Sequence, residues 1–312
     1  MRTVLTTLAA LSLLVSGCGR SNDQHSAVGS HAKKTIGVSV LTLTNPFFKV
    51  IGDTLTEEAA KHGYEVIVTS GEFDVAKQQN QVKDFIVRGV GAIVLCPCDS
   101  KAIGPVIQEA NAAGIPVFTA DIAAQEGDVV CHVASDNVAG GRLAGEYLAK
   151  ILNGAGNVAI IGQPTVTSVL DRVQGFKDAI AKFPNIKIVA DVNGEGVRDK
   201  ALQVTSDILQ AQQHLSGIFG INDDSALGAL DAVTQFKRTN IFIIGYDATP
   251  PAADAIIKGT ALKADVIQYP KKIGATTIEK IRQYFSGAQV PKIIPVEVGI
   301  ADKEALSTTT TK

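Results

Sequence analysis

Thr44-Asn45-Pro46-Phe47-Phe48 directly follows a short apolar run, Thr35 to Val40, that reads as a strand. An amide and two adjacent aromatic rings thus stand at the carboxyl end of a strand, just where a helix begins. In open α/β sheets that edge is where ligands bind. An amide beside two rings offers hydroxyl recognition and a flat apolar wall, which together suit a sugar. The competing reading makes Phe47 and Phe48 the buried first turn of a helix. Polar groups recur at the same relative place farther along. Asp121 follows the run Pro116 to Ala120. Gln163 follows Val158 to Gly162, with Arg172 on the next helix. Asn222, Asp223 and Asp224 follow Gly217 to Ile221. Asp247 follows Ile241 to Tyr246, and Gln268 follows Ala264 to Ile267. Carboxylates accept from two hydroxyls, an arginine fork donates, and amides do both. Aromatic rings cover the C–H face of a sugar.

Some of these residues have competing roles. Asp223 or Asp224 is expected to cap the helix Ser225 to Phe236, which leaves Asn222 as the better ligand candidate. Asp247 could cap the helix starting at Thr249-Pro250. Asp121 has no helix directly after it to cap.

The elements that must position these groups alternate strand and helix throughout. Short runs such as Glu65 to Thr69, Ala92 to Leu95 and Pro116 to Thr119 are separated by amphipathic stretches, Phe47 to Gly63 and Val75 to Gly89. Continuous apolar strands alternating with helices imply an α/β fold with parallel sheets covered on both faces. A second series opens at Asn157 to Ile161 and continues with Ile186 to Ala190, Gly217 to Phe219 and Ile241 to Gly245. Two such series imply two similar lobes, with Val130 to Asp136 a strand leading straight into the second. A helix from Tyr269 to Ser286 follows the last expected strand, Ala261 to Ile267. Its local pattern does not say which lobe it joins. Ser307 to Lys312 reads as a disordered tail.

The 312 residues carry a formal charge of -2 and no basic stripe, which argues against a nucleic-acid partner. Residues 1–17 read as a signal peptide: Arg2, then an apolar run from Val4 to Val15, too short to span a bilayer. Small residues before Cys18 resemble a bacterial lipoprotein signal, with Cys18 the lipidated first mature residue. Residues 18–34 read as a polar tether. Cys96, Cys98 and Cys131 remain, an odd number that cannot all pair within one chain. Cys96 and Cys98 flank Pro97, a difficult geometry for a disulfide. A metal site of Cys96, Cys98 and His132 matches no known zinc spacing. The three thiols read as small buried side chains, with no metal and no cofactor.

Thr44 to Phe48, Ala134 to Asn137 with Gly140-Gly141, Asn222-Asp223 with Ala226 to Leu230, and Gly245 to Pro250 arrive in order along the chain. Together they resemble the bacterial ribose-binding protein family, the type I periplasmic sugar-binding proteins of ABC transporters. The similarity runs from about Thr35 to Val298. It implies two Rossmann-like lobes joined by a three-segment hinge, with sugar held between them. The first lobe would be residues 35–135 plus 269–297, the second 136–268 plus 298–312. The resemblance implies sugar contacts at Asn45, Phe47, Phe48, Asp121, Arg172, Asn222, Asp247 and Gln268. Arg172 could instead be a solvated helix charge, and Gln268 a plain hinge residue. Three positions depart from the family pattern: Ile122 stands for an arginine, Cys96 for an asparagine, and Gly196 for a second-lobe aromatic. Gln163 and Glu195 are candidates for replacement bonds. A wider, less polar pocket would take a hexose, a deoxy sugar or a sugar alcohol.

The function expected from these features is a solute-binding lipoprotein that hands a neutral monosaccharide-like ligand to an ABC permease. It would be a monomer in the periplasm or at the cell surface, held to the membrane by lipid at Cys18. Gly19 after Cys18 points to the outer membrane in a cell that has one. The alternative is a sugar sensor that presents its closed form to a chemoreceptor or sensor kinase. The export signal argues against a transcription regulator. An enzyme is not expected: no nucleophile elbow or P-loop is present, and Asp121 and Asp247 suit hydroxyl binding better than glycoside hydrolysis.

Overall fold

The computed structural model describes residues 35–309. The expected signal peptide, Cys18 anchor, tether and residues 310–312 lie outside the described residues. Apolar runs such as Ala92–Leu95 and Val117–Ala120 are buried along their whole length, as strands must be when helices cover both faces of a sheet. The first half runs β1 (Thr35–Val40), α1 (Pro46–Ala60), β2 (Glu65–Ser70), α2 (Val75–Arg88), β3 (Ala92–Leu95), α3 (Gly104–Ala112), β4 (Val117–Ala120) and β5 (Val129–Ser135). The second runs α4 (Asn137–Ile151), β6 (Ala155–Gly162), α5 (Thr167–Ile180), β7 (Asn185–Asn193), α6 (Arg198–Ala211), β8 (Leu215–Gly220), α7 (Asp223–Gln235), β9 (Phe242–Asp247), α8 (Pro250–Ile257) and β10 (Leu262–Ile267). It is followed by α9 (Pro270–Phe285), β11 (Ile293–Val296), β12 (Gly299–Asp302) and α10 (Lys303–Thr309).

Two six-stranded sheets result, ordered β11-β5-β4-β3-β1-β2 and β12-β10-β9-β8-β6-β7. The same strand order thus recurs in both halves. The chain passes between the sheets after β5, after β10 and between β11 and β12, and α9 packs against α1 on the first sheet. Two expectations need correction. The strand ending at Ile267 is not the last, because β11 and β12 follow it and edge the two sheets. Each is only four residues long, too short for a clear period. β12 also runs antiparallel to β10, so the second sheet is not wholly parallel. Ser307–Thr309 belong to α10 rather than to a disordered tail.

Helix starts follow the capping residues. Asn45 accepts a hydrogen bond from the Phe47 amide at 2.9 Å, and Pro46 takes the first helical position, where its missing N–H costs nothing. Asp74 caps α2, and Gly89 closes it in the left-handed conformation at φ 62°. One core is shared by α1, α9, α4 and α5 with the sheet faces beneath them; two others fill the opposite faces under α2–α3 and α6–α8.

The closest helix pair is α4 with α5. A Cβ on Gly141 would collide with the Arg172 carbonyl, and one on Gly175 with the Val138 carbonyl. Both obstacles are backbone and cannot swing aside. We expect Gly175→Ala to destabilise the fold by about 1–3 kcal/mol, as overpacked cores do, with a matching drop in the urea midpoint. A midpoint equal to wild type would show that the helices can part without loss.

Candidate ligand-binding cleft

In each sheet the strand order reverses beside the first strand of the series, β1 or β6. The carboxyl ends of the strands at such a reversal open a crevice. Here the two crevices face each other across a narrow cavity of about 30 Å³, so the walls stand close together.

Ten of the twelve candidate residues line this cavity: Asn45, Phe47, Phe48, Asp121, Ile122, Gln163, Arg172, Asn222, Asp247 and Gln268. Phe47 and Phe48 form one wall, edge to face at 5.3 Å. Both are also buried in the first turn of α1, as the competing reading expects. Cys96 and Gly196 are not among the lining residues. Cys96 is fully buried beneath, its carbonyl accepting from Gln78 Nε2 at 3.0 Å. Gly196 stands one layer back: a Cβ there would collide with Gln163 Oε1, and its carbonyl accepts from Asn222 Nδ2 at 3.1 Å. Glu195 is exposed.

Arg172 joins the polar parts. It is 4 % exposed, so it is not a solvated helix charge. Its Nε donates to Asn137 Oδ1 and its Nη1 to the Ile221 carbonyl, both at 2.8 Å. Its carbon centre lies 3.9 Å above the Tyr246 ring. The remaining charge faces Asp121 at 4.0 Å and Asp247 at 3.8 Å, so one cation serves a carboxylate from each sheet. Burial pushes Asp121 up to about 6 while Arg172 pulls it back. Burial likewise raises Asp247, against the pull of Arg172. Gln268 Nε2 donates to Asp247 Oδ1 at 2.7 Å. Among the described residues, Asp121 Oδ1 and Gln268 Oε1 find no hydrogen-bond donor. Both are acceptor atoms, as a ligand rich in hydroxyls requires.

The expected caps are corrected. Asn222, not Asp223 or Asp224, caps α7, accepting from the Ser225 amide at 2.9 Å. Its backbone is extended while both aspartates are already helical, so their side chains point elsewhere. Asp224 accepts from Asn45 Nδ2 at 3.2 Å across the cleft, and Asp223 accepts from the Thr249 amide at 2.7 Å. Asp247 caps nothing; Thr249 is the residue that starts α8. Ser100 and Ala123 bond Thr167 across the other side of the cleft, with Thr167 N to Ser100 Oγ at 3.0 Å and Ala123 N to Thr167 Oγ1 at 3.2 Å.

Leu41, Phe73, Val166, Ser168, Val169 and Ile221 also line the cavity and were not anticipated. Phe73 had a signal, an aromatic beyond the end of β2 in the same relative place as Phe47. Val166 and Val169 had none beyond lying after β6. Asp121, Asp247 and Phe73 hold φ of 64°, 112° and 60°, a conformation uncommon outside glycine and favoured at functional sites. All three cysteines are free and buried. Burial holds the Cys98 thiol up at about 12 and raises Cys96 as well, so both stay protonated. Among the described residues, no cluster of His, Cys, Asp or Glu could hold a metal ion, and no helix is long and apolar enough to cross a membrane.

A family model described as a periplasmic binding protein domain matches residues 36–289. The chain is 36% identical over 274 residues to the ribose import binding protein RbsB of Salmonella typhimurium, which covers 88% of this chain and 92% of that one. The solved structure of a Caulobacter myo-inositol binding protein bound to myo-inositol is similar at a TM-score of 0.82 and 31% identity, covering 88% of this chain and 95% of that one. An ABC transporter periplasmic solute binding protein from Actinobacillus succinogenes with bound D-allose has a TM-score of 0.81 at 30% identity, covering 88% and 99%.

Removing the shared cation tests the electrostatics. Arg172→Met leaves Asp121 and Asp247 buried without a facing cation, and we expect a loss of about 3–5 kcal/mol at neutral pH. The sign of the pH dependence follows from linkage. Asp121 is raised from 3.8 to about 6 on folding, so its contribution is complete below 3.8 and is lost as pH rises to about 6. Without Arg172 the folded value rises further, so the variant keeps losing stability above pH 6. Parallel melting curves of variant and wild type across that range would contradict this.

Proposed function

The chain belongs to the periplasmic binding protein domain family, among its ribose-binding-like members, and we propose that it captures a neutral monosaccharide or sugar alcohol for an ABC importer. The observation that carries this is the cleft itself: two phenylalanine rings on one side, and a guanidinium set between two carboxylates on the other. A ring laid against Phe47 and Phe48 turns its hydroxyls toward Asp121, Asp247, Arg172, Asn222, Gln163 and Gln268. Asp121 Oδ1 and Gln268 Oε1 accept from those hydroxyls. Ile122, Val166, Val169 and Ile221 leave part of the wall apolar. A ligand with an exposed C–H face, such as a hexose, a deoxy sugar or a cyclic polyol, suits that wall. The bound D-allose and myo-inositol of the two similar structures are of this kind.

In this proposal residues 35–135 with 269–297 and residues 136–268 with 298–312 move as two lobes about three crossovers. Closure by hinge bending brings Asn45 to Asp224 and Thr167 to Ser100, and the permease recognises the closed form. The protein works as a monomer, with residues 1–17 removed and lipid at Cys18 holding it to the membrane in the periplasm or at the cell surface.

Thermal unfolding against D-ribose, D-allose, myo-inositol and other hexoses, deoxy sugars and polyols is the direct test. A ligand at a hundredfold excess over its dissociation constant adds about 2.7 kcal/mol of stability, visible as a raised Tm. No shift with any of them would overturn the proposal. For a ligand that does bind, Asp247→Asn should weaken affinity by about tenfold or more, since a charge-assisted bond is lost. The unliganded variant should melt no lower than wild type, because burial already disfavours the charged form of Asp247 and a neutral amide takes its place. Calorimetric titration and melting of the same sample separate the two effects.

A further inference from the structure

Asp265 lies in the middle of β10 and is fully buried. Among the described residues, neither of its carboxyl oxygens finds a hydrogen-bond donor. Its neighbour across the sheet is Gly245 of β9. A Cβ on Gly245 would collide with Asp265 Oδ1, so the glycine makes the space that the carboxyl fills. The same Cβ would lie 2.9 Å from the Ala226 side chain, which places the first turn of α7 over that space. Asp223 is three residues before Ala226 on the same helix face, and its carboxyl meets that of Asp265 within hydrogen-bonding reach. Asp223 Oδ2 is taken by the amide and hydroxyl of Thr249, while its Oδ1 has no donor. Two carboxylates offer only acceptors to each other, so a contact between them needs a proton.

Among the described residues, no cation forms an ion pair with either carboxyl. Arg172 reaches Asp247 and Asp121 but forms no ion pair with Asp223 or Asp265. Asp224 is the next residue of α7, and Asp247 ends β9 beside the pair; both add negative charge. Ala301 of β12 stands opposite Asp265, and α4, which also packs on β10, buries small and apolar residues such as Gly141, Ala144 and Leu148.

We propose that Asp223 and Asp265 share one proton at neutral pH and serve as positioning residues for Asp247, with Asp265 donating to Asp223 and Asp223 clamping Thr249. The proposal rests on the reading above, in which Asp247 meets the ligand. Thr249 lies two residues beyond Asp247, and the link between them is a left-handed turn, with φ of 112° at Asp247 and 57° at Ala248. Such a turn persists only where its surroundings hold it. Proton loss would place two like charges in contact and release the clamp. Burial and the charge of Asp223 push the Asp265 carboxyl well above the ordinary range, while Asp223 rises to about 6. A group raised on folding takes up a proton as the chain folds. Its stabilisation is complete below the unfolded value and is lost as pH rises through the folded one.

Asp265→Asn keeps the shape and supplies an N–H in place of the O–H; Asp265→Ala removes the donor. In the unliganded protein we expect three results. The infrared difference spectrum, wild type minus Asp265→Asn, shows the C=O band of a protonated carboxylic acid at neutral pH. The Tm of wild type falls more steeply than that of Asp265→Asn as pH rises from about 5 to about 9. The Thr249 amide exchanges with solvent about tenfold faster in Asp265→Ala than in wild type, and at the wild-type rate in Asp265→Asn. With whichever of D-ribose, D-allose or myo-inositol binds wild type, Asp265→Ala loses about tenfold in affinity and Asp265→Asn keeps it. Absence of the band, or identical pH slopes, overturns the shared proton. Unchanged Thr249 exchange or unchanged affinity in Asp265→Ala overturns the positioning role. If no sugar binds wild type, the sugar-binding proposal fails by itself, and the unliganded results still decide the proton and the clamp.

Discussion

A guanidinium taken out of water must find partners for all of its charge and donors, and the arrangement around Arg172 follows from that requirement. Asn137 at the start of α4, the carbonyl of Ile221 beyond β8, and the Tyr246 ring of β9 occupy its edges and one face. Asn137 Oδ1 also accepts from the Tyr246 hydroxyl at 3.3 Å, which fixes the ring under the cation. What remains of the charge sits between Asp121 and Asp247. Arg172 reaches this place only because α5 lies against α4 at backbone contact, a distance that Gly141 and Gly175 permit. A packing rule about two helices thus becomes a rule about where a charge stands.

The two halves contribute unlike things from like positions. Asp121 follows the fourth strand of its sheet and Asp247 ends the corresponding strand of the other, and both adopt the left-handed backbone that aspartate tolerates better than most residues. The first half adds two rings and an apolar Ile122. The second adds Arg172, Gln163, Asn222 and Gln268. The two rings thus come from the first half and most of the amides and the cation from the second, while Asn45 and Asp121 keep the first half partly polar and Val166, Val169 and Ile221 keep the second partly apolar.

Much of this was legible in the chain. Apolar runs gave the strands from β1 to β10 to within a few residues, because helices on both faces bury the inner strands along their length; the edge strands β2 and β7 are only partly buried but keep the same apolar runs. The polar residues at strand ends were legible for the same reason: a polar side chain just past a buried strand has few places to go. Caps were misassigned at α7 because Asn222, Asp223 and Asp224 are all good capping residues, and only the backbone at Asn222 decides among them. The apolar lining of Val166, Val169 and Ile221 looks like any other core residue in sequence. Gly196 was misplaced by one layer, since a glycine carries no side chain whose chemistry could announce its depth. Asp265 was invisible as well: its pattern is that of a strand residue, and its partner Asp223 lies on a helix 42 positions away.

The short strands β11 and β12 lie next to each other in the chain, yet each edges a different sheet. β5 has no outer neighbour until β11 has been made, and β11 is made after every strand from β6 to β10. The first sheet is thus unfinished at the moment the second is almost complete. A chain emerging from its amino end cannot seal either unit early, and the final segment sews both shut together. Removing that segment would bare an edge of both sheets at once, β5 in the first and β10 in the second.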